Sequence, residues 1–388
     1  MVKNISLLGA SGSIGRQTLE VCGWHLGKLN ISAMTAGKEW RYLSEMARKW
    51  RPKLVVIRDE TQYGALKKEL LCLPIKVMAG EEGLIAAATW EETELVVAAI
   101  SGIAGLKPLM AAIDAGKDIA LANKESLVAA GEIVMPRVRE QGLSLLPVDS
   151  EHSALWQCLA GEKMSGIAEL VLTASGGAFR DLPIEDLRNV TVTQALAHPN
   201  WRMGAKITVD CATMVNKALE IIEAHWLFDV SYNQISALLH PESIVHSLVR
   251  FQDGCLKAQL GAADMRLPIQ YALFGGARPF APIENIDLAR IGSLHFAEPE
   301  SERYPAFFTM RQAGEQGGTA PAYMNGANEL LVQEFLAGNI DFPQIGSILN
   351  ELINKYLPTV VDDDIEKVYA ADEEGRADAA AKILEVLN

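Results

Sequence analysis

Four consecutive residues, Asp149-Ser150-Glu151-His152, carry the densest chemistry in the chain. They follow an apolar run over residues 143–148 that reads as a buried strand. Side chains alternate along an extended chain, so Asp149 and Glu151 share a side if the strand continues through them. Two such carboxylates suit a hard divalent ion such as Mg²⁺ or Mn²⁺. The same residues also suit a helix start, with Asp149 or Ser150 as the cap. A third acid is available on a long helix expected over residues 212–226, where Asn216, Lys217 and Glu220 fall at i, i+1 and i+4. At about 100° per residue, Asn216 and Glu220 stand ~40° apart and Lys217 and Glu220 ~60° apart. One face then carries an amide, an ammonium and a carboxylate; the alternative is a surface ion pair of little weight. A strand expected over residues 207–210 ends at Asp210, and the first helical turn near Cys211 and Thr213 offers an anion site.

Near the N-terminus, residues 9–15 read GASGSIG between a short strand and an amphipathic segment beginning near Arg16. This GxxGxxG spacing lets backbone N–H groups and a helix N-terminus approach a pyrophosphate, although a strand-to-helix turn without ligand has the same form. The second strand ends in Ala36-Gly37-Lys38-Glu39. Lys38 suits the 2′-phosphate of NADP, whereas an inward Glu39 opposes it; the pair also suits a solvated loop. Three further loops combine polar groups with tight turns. Residues 174–179 (ASGGAF) offer the Ser175 hydroxyl or form a plain turn. Residues 121–126 (LANKES) aim Lys124 at a strand's carboxyl end or cap a helix with Asn123. Residues 197–204 (AHPNWRMG) form a lid that excludes water or a buried anchor.

These groups need elements to hold them. Runs over residues 5–9, 31–35, 54–57, 95–100, 119–122 and 143–148 read as buried strands separated by helical patterns. That alternation predicts an α/β, Rossmann-like, doubly wound parallel sheet. Residues 168–173, 207–210, 244–251 and 255–260 predict strands of an α+β catalytic domain whose sheet could also hold a dimer. Glycines and prolines over 275–299 read as a linker, and the helical periodicity beyond it gives a small C-terminal helical domain. The expected boundaries are 1–149, 150–274 with a flap near 197–205, a linker over 275–300, and 301–388.

The chain has 388 residues and a formal charge of -14, which argues against nucleic acid or an anionic membrane as the main partner. Five scattered cysteines form no CxxC pair, and no apolar run approaches the ~18 residues of a membrane span. With no signal-like N-terminus, a cytoplasmic protein is expected.

Taken together, GASGSIG (9–15), LANKESLV (121–128), PVDSEHS (147–153), SGGAF (175–179), HPNWRMG (198–204), ATMVNKALE (212–220) and HPESIVHSLV (240–249) resemble, in order and spacing, the 1-deoxy-D-xylulose 5-phosphate reductoisomerases. The resemblance covers essentially the whole chain. It implies a homodimer acting on a sugar phosphate with NADPH, at the first committed step of the methylerythritol phosphate route to isoprenoids. It implies that Asp149, Glu151 and Glu220 hold Mg²⁺ or Mn²⁺. Lys124 and Glu151 would be catalytic. Substrate contacts would fall on Lys124, Ser150, Glu151, Ser175, His198, Cys211, Asn216, Lys217 and Glu220. The cofactor would meet Ser11, Gly12, Ser13, Ile14, Gly37, Lys38, Glu39, Asn123, Glu125 and Gly204, beneath a flap carrying Trp201 and Met203. Three residues depart from the pattern: Cys211 replaces a phosphate-binding serine, Glu39 an asparagine, and Ala263 a proline.

Two other readings compete. A semialdehyde or homoserine dehydrogenase shares such a glycine loop, but the former needs a nucleophilic cysteine with a histidine partner, and none is evident. A non-catalytic NADP sensor would need no metal carboxylates. His225, His240 and His246 suit core positions and receive no catalytic role.

Overall fold

The computed structural model describes residues 2–201 and 203–387. Two compact units emerge. The first comprises residues 1–126, 134–153 and 264–282. Its centre is a seven-stranded, all-parallel sheet of β1 (Lys3–Leu8), β2 (Leu29–Ala36), β3 (Leu54–Ile57), β4 (Lys76–Ala79), β5 (Leu95–Ala98), β6 (Asp118–Leu121) and β7 (Leu145–Pro147), in the order β4-β3-β2-β1-β5-β6-β7. Strand order reverses beside β1, so β1 and β5 flank the crevice where such sheets bind ligands. The strands are apolar runs because helices cover both faces of a parallel sheet. Ile5, Leu7, Ile31, Met34, Val55, Ile57, Leu95 and Val97 are accordingly buried in one core.

The edge strand β4 has no counterpart among the expected strands. Its Lys76 is exposed and its other residues are half-buried, so it lacks the apolar run that marks its neighbours. The helix Arg266–Leu273 packs on the helix Ser13–Trp24 within this first unit.

The second unit comprises residues 127–133, 154–263 and 283–388. Its four-stranded mixed sheet contains β8 (Ile167–Ala174), β9 (Ile235–Leu239), β10 (Val245–Phe251) and β11 (Leu256–Leu260), in the order β11-β10-β8-β9. The strand expected over 207–210 is instead part of a helix, Ala205–Ala212. Its β-branched residues suggested extension, but Gly204 precedes the first turn and Lys206 pairs with Asp210 at i,i+4, 3.0 Å apart. Buried Asp210 also accepts from Asn328 Nδ2 at 2.9 Å, so the helical register places this carboxylate where an amide meets it. The sheet's remaining strand is β9, over Ile235–Leu239.

The helix carrying Asn216, Lys217 and Glu220 spans Val215–Phe228 and is separated from Ala205–Ala212 by Met214 at φ 57°. Pro305–Gln316, Ala320–Leu336, Phe342–Ile353 and Ile365–Leu387 form the C-terminal helical part of this unit. No helix among the described residues is long and apolar enough to cross a membrane.

Candidate active site

In the first unit, β1 runs directly into the glycine loop. Gly9 adopts φ 93°, and a β-carbon there would lie 2.4 Å from the Ala99 carbonyl oxygen, so only glycine lets the loop pass the end of β5. Gly12 then precedes the helix Ser13–Trp24, so the glycine loop leads from a strand into a helix N-terminus as expected. Beyond β2, the Ser11 hydroxyl donates to Glu39 Oε2 at 3.0 Å and the Lys38 N–H donates to the same oxygen at 3.2 Å. The Ser11 hydrogen bond is the main cause that holds the Glu39 carboxyl below the usual range.

The strand before Asp149 does not continue extended. β7 ends at Pro147 and a helix begins at Ser150. The capping alternative is the one realised: the Glu151 N–H donates to Asp149 Oδ1 at 3.2 Å, and the Ser153 N–H to the Asp149 carbonyl at 2.9 Å. Capping still leaves Asp149 Oδ2 to accept from Lys124 Nζ at 2.8 Å, with both side chains largely buried. Ser150 Oγ donates to Glu151 Oε2 at 2.6 Å. Asn123 likewise caps its helix, accepting from the Ser126 N–H at 3.0 Å. Its Nδ2 donates to Gly102 O at 3.0 Å, to Glu125 Oε2 at 3.2 Å and to Ile100 O. This amide therefore fixes the loop after β5 against the start of the Lys124 helix.

In the second unit, His198 and Ser175 share a hydrogen-bond network. Both Asn200 and Trp201 donate their backbone N–H to His198 Nδ1, at 3.2 and 3.0 Å. Nδ1 is thus the acceptor, which puts the proton on Nε2. That Nε2–H faces Ser175 Oγ at 2.9 Å, which also accepts from the Gly177 N–H at 3.2 Å. With two donors already aimed at its oxygen, Ser175 keeps its own O–H as a donor. Burial lowers the His198 pKa, which keeps the ring neutral and this pattern intact at pH 7.

Two residues outside the sequence reading hold the same loop. Arg180 Nη1 donates to the Ser175 carbonyl at 2.7 Å and the buried Tyr304 hydroxyl to the Gly176 carbonyl at 3.1 Å. Arg180 directly follows the SGGAF motif, which marks it in the sequence; Tyr304 carries no local signal.

Cys211 and Thr213 do not lie in a first helical turn as expected. They sit at the C-terminal end of Ala205–Ala212, where the helix dipole disfavours an anion. The favourable N-terminus is that of Val215–Phe228, which carries Asn216 and Lys217. Here Asn216 Nδ2 donates to Glu220 Oε1 at 2.5 Å, and Lys217 Nζ pairs with Glu220 Oε2; Lys217 and Glu220 are both buried, so this is no solvated surface pair.

The segment expected as a flap is held through Asn200, whose Nδ2 donates to Pro241 O at 2.6 Å and Ser243 Oγ at 2.8 Å. The Trp201 ring lies 6.3 Å from that of His246, while Arg202 falls outside the described residues. His240 and His225 hold loops through backbone groups: His240 Nε2 accepts from Val245 N–H at 3.1 Å, and His225 Nδ1 meets Val230 O at 2.6 Å.

Two groups of side chains among the described residues could hold a metal ion: Asp149, Glu151 and Glu220, and Asp149, His152 and Glu223. The first is all carboxylate oxygen, the donor set for a hard cation such as Mg²⁺ or Mn²⁺; the second adds an imidazole, which suits softer ions. Lysines beside Asp149 and Glu220 offset the charge of the acids.

Comparison with known proteins agrees with these features. Residues 5–131 match the family model for 1-deoxy-D-xylulose 5-phosphate reductoisomerase, residues 145–228 that for its C-terminal domain, and residues 260–378 a further DXP reductoisomerase C-terminal domain. The 1-deoxy-D-xylulose 5-phosphate reductoisomerase of Moorella thermoacetica is 49% identical over 381 residues, covering 98% of each chain. A solved reductoisomerase from Zymomonas mobilis in complex with NADPH superposes with a TM-score of 0.93 at 39% identity, covering 99% of each chain. A DOX-P reductoisomerase in complex with NADPH, fosmidomycin and magnesium gives 0.95 at 38% identity, covering 100% of each. This chain belongs to the 1-deoxy-D-xylulose 5-phosphate reductoisomerase family.

Proposed function

We propose that Asp149, Glu151 and Glu220 hold one Mg²⁺ or Mn²⁺ ion, and that NADPH lies along the glycine loop. The observation that carries this reading is the all-oxygen acidic group, in a chain whose sequence matches the reductoisomerase family along nearly its whole length. The reaction is the rearrangement and reduction of 1-deoxy-D-xylulose 5-phosphate to 2-C-methyl-D-erythritol 4-phosphate, the first committed step of the methylerythritol phosphate route. A bound divalent ion supplies Lewis-acid stabilisation of charge on the substrate's carbonyl and hydroxyl oxygens, and NADPH supplies hydride.

The chain's own residues do the rest. Ser175 donates its hydroxyl to a substrate phosphate oxygen, a role supported by the two donors already aimed at its oxygen. Asn216 and Lys217 complete the phosphate grip, and His198 holds the Ser175 hydroxyl oxygen in place for it. Lys124 offers a charged donor to the reacting oxygens, as its contact with Asp149 supports. Glu151 and Ser150, already hydrogen-bonded, hold and move a proton at the substrate hydroxyls. Ser11, Gly12, Ser13, Ile14, Gly37, Lys38, Glu39, Asn123, Glu125 and Gly204 line the cofactor's path. Trp201 and Met203 belong to a flap that excludes water once phosphate is gripped.

The domain reading follows: an NADPH-binding part over 1–149, a catalytic part over 150–274, a linker over 275–300 and a helical part over 301–388. We also infer a cytoplasmic homodimer, which the resemblance supports; sedimentation of the purified chain gives its mass. The direct test follows NADPH absorbance. Oxidation should require both 1-deoxy-D-xylulose 5-phosphate and Mg²⁺ or Mn²⁺. Undiminished oxidation in the presence of a chelator would refute the metal reading.

A further inference from the structure

The Glu39 carboxylate occupies the donors that a 2′-phosphate would need. The Ser11 hydroxyl and the Lys38 N–H both point at its Oε2, at 3.0 and 3.2 Å. It lies just past the end of β2, in the Gly37–Glu39 turn before the helix Trp40–Trp50. In a doubly wound sheet this is the place where the adenosine ribose is read. Its hydrogen bond with Ser11, backbone N–H groups and nearby Arg16 keep the carboxyl below the ordinary range, so it is anionic at neutral pH. Asp59, held below the ordinary range chiefly by hydrogen bonds from Thr61 and lastly by the Lys38 charge, adds a second carboxylate near Lys38. Lys38 therefore shares its surroundings with two acids.

A phosphate monoester carries roughly -1.5 to -2 charges at pH 7. To enter, it must displace Glu39 from both donors and then lie beside it, like charge against like. A free ribose 2′-hydroxyl meets the opposite situation, because a carboxylate is an acceptor that it can donate to. Arg16 does not restore the balance: its Nε donates to Ser11 O at 2.8 Å and its guanidinium lies 3.8 Å over the Tyr42 ring.

We propose that Glu39 sets the dinucleotide preference of this chain, weakening its hold on the 2′-phosphate and offering the ribose hydroxyl a partner, so that NADH is accepted beside NADPH. This inference rests on the reading of the glycine loop as the cofactor site. The residue is exposed, so replacing it leaves the core untouched.

The test titrates NADPH and NADH separately into the wild-type chain, Glu39→Gln and Glu39→Asn, following quenching of tryptophan fluorescence without substrate or metal. Both variants should raise the NADH-to-NADPH ratio of Kd values by about ten-fold or more, through tighter NADPH and weaker NADH binding. A ratio within about two-fold of wild type in both variants would overturn the role of Glu39 while leaving the cofactor site standing. A wild-type chain that binds neither dinucleotide would remove the cofactor site and this inference together.

Discussion

At the scale of single residues, the site depends on which atom of each side chain is already committed. Asp149 shows how one carboxylate serves two ends: Oδ1 caps a helix while Oδ2 faces Lys124. The sequence posed capping and ion binding as alternatives, and the geometry makes the cap the means of fixing the carboxylate. Cys211 is the opposite case. It stands where the family has serine, at the end of a helix whose C-terminal dipole repels an anion. A thiol is also a weak donor. Cys211→Ser should therefore leave the substrate KM unchanged or lower it by a few-fold, with the fold intact by circular dichroism. A KM raised ten-fold or more would show that the thiol itself is used.

At the scale of elements, the Ser175 loop packs against the C-terminal end of the helix Ala205–Ala212. Gly177 adopts φ 71°, and a β-carbon there would lie 2.4 Å from the Ala212 Cα and 2.7 Å from the Cys211 carbonyl oxygen. Gly177→Ala should cost roughly 2 kcal/mol or more of stability and raise the substrate KM, because backbone strain and collision push the Ser175 loop from the helix. Thermal melts and KM values for this variant check both.

The sequence was most legible where burial is two-sided. The central parallel strands are short apolar runs between Gly, Pro, Asp and Asn, and a pattern of that kind survives any change of neighbours. The edge strand Lys76–Ala79 was not legible, because half its environment is solvent. Residues 207–210 were misread because local β-branching was overruled by a tertiary partner, Asn328, 118 residues further on. In the site, residue types and loops were readable. The His198 tautomer and the roles of Arg180 and Tyr304 were not, since each depends on a hydrogen bond that only the folded backbone defines.

At the scale of the whole molecule, the half-buried imidazole of His198 and the buried one of His246 tie stability to pH. Burial lowers the pKa of His198 and of His246 below the ordinary 6.5. In the folded chain they stay neutral while the unfolded chain takes up protons near pH 6.5, so their contribution is complete above that value and declines as pH falls below it. Chemical denaturation between pH 7.5 and 5.5 should show this loss, and His198→Gln should shallow the slope. An unchanged slope in the variant would mean that His198 protonates equally in both states.

The proposed metal site has Asp149, Glu151 and Glu220 acting together on a single hard cation. Its most direct measurement is Mn²⁺ binding by electron paramagnetic resonance, in the wild-type chain and in Asp149→Asn, Glu151→Gln and Glu220→Gln. One ion per chain is predicted, with each substitution weakening binding by about ten-fold or more while circular dichroism stays unchanged. A Glu220→Gln chain that holds Mn²⁺ as tightly as wild type would contradict it.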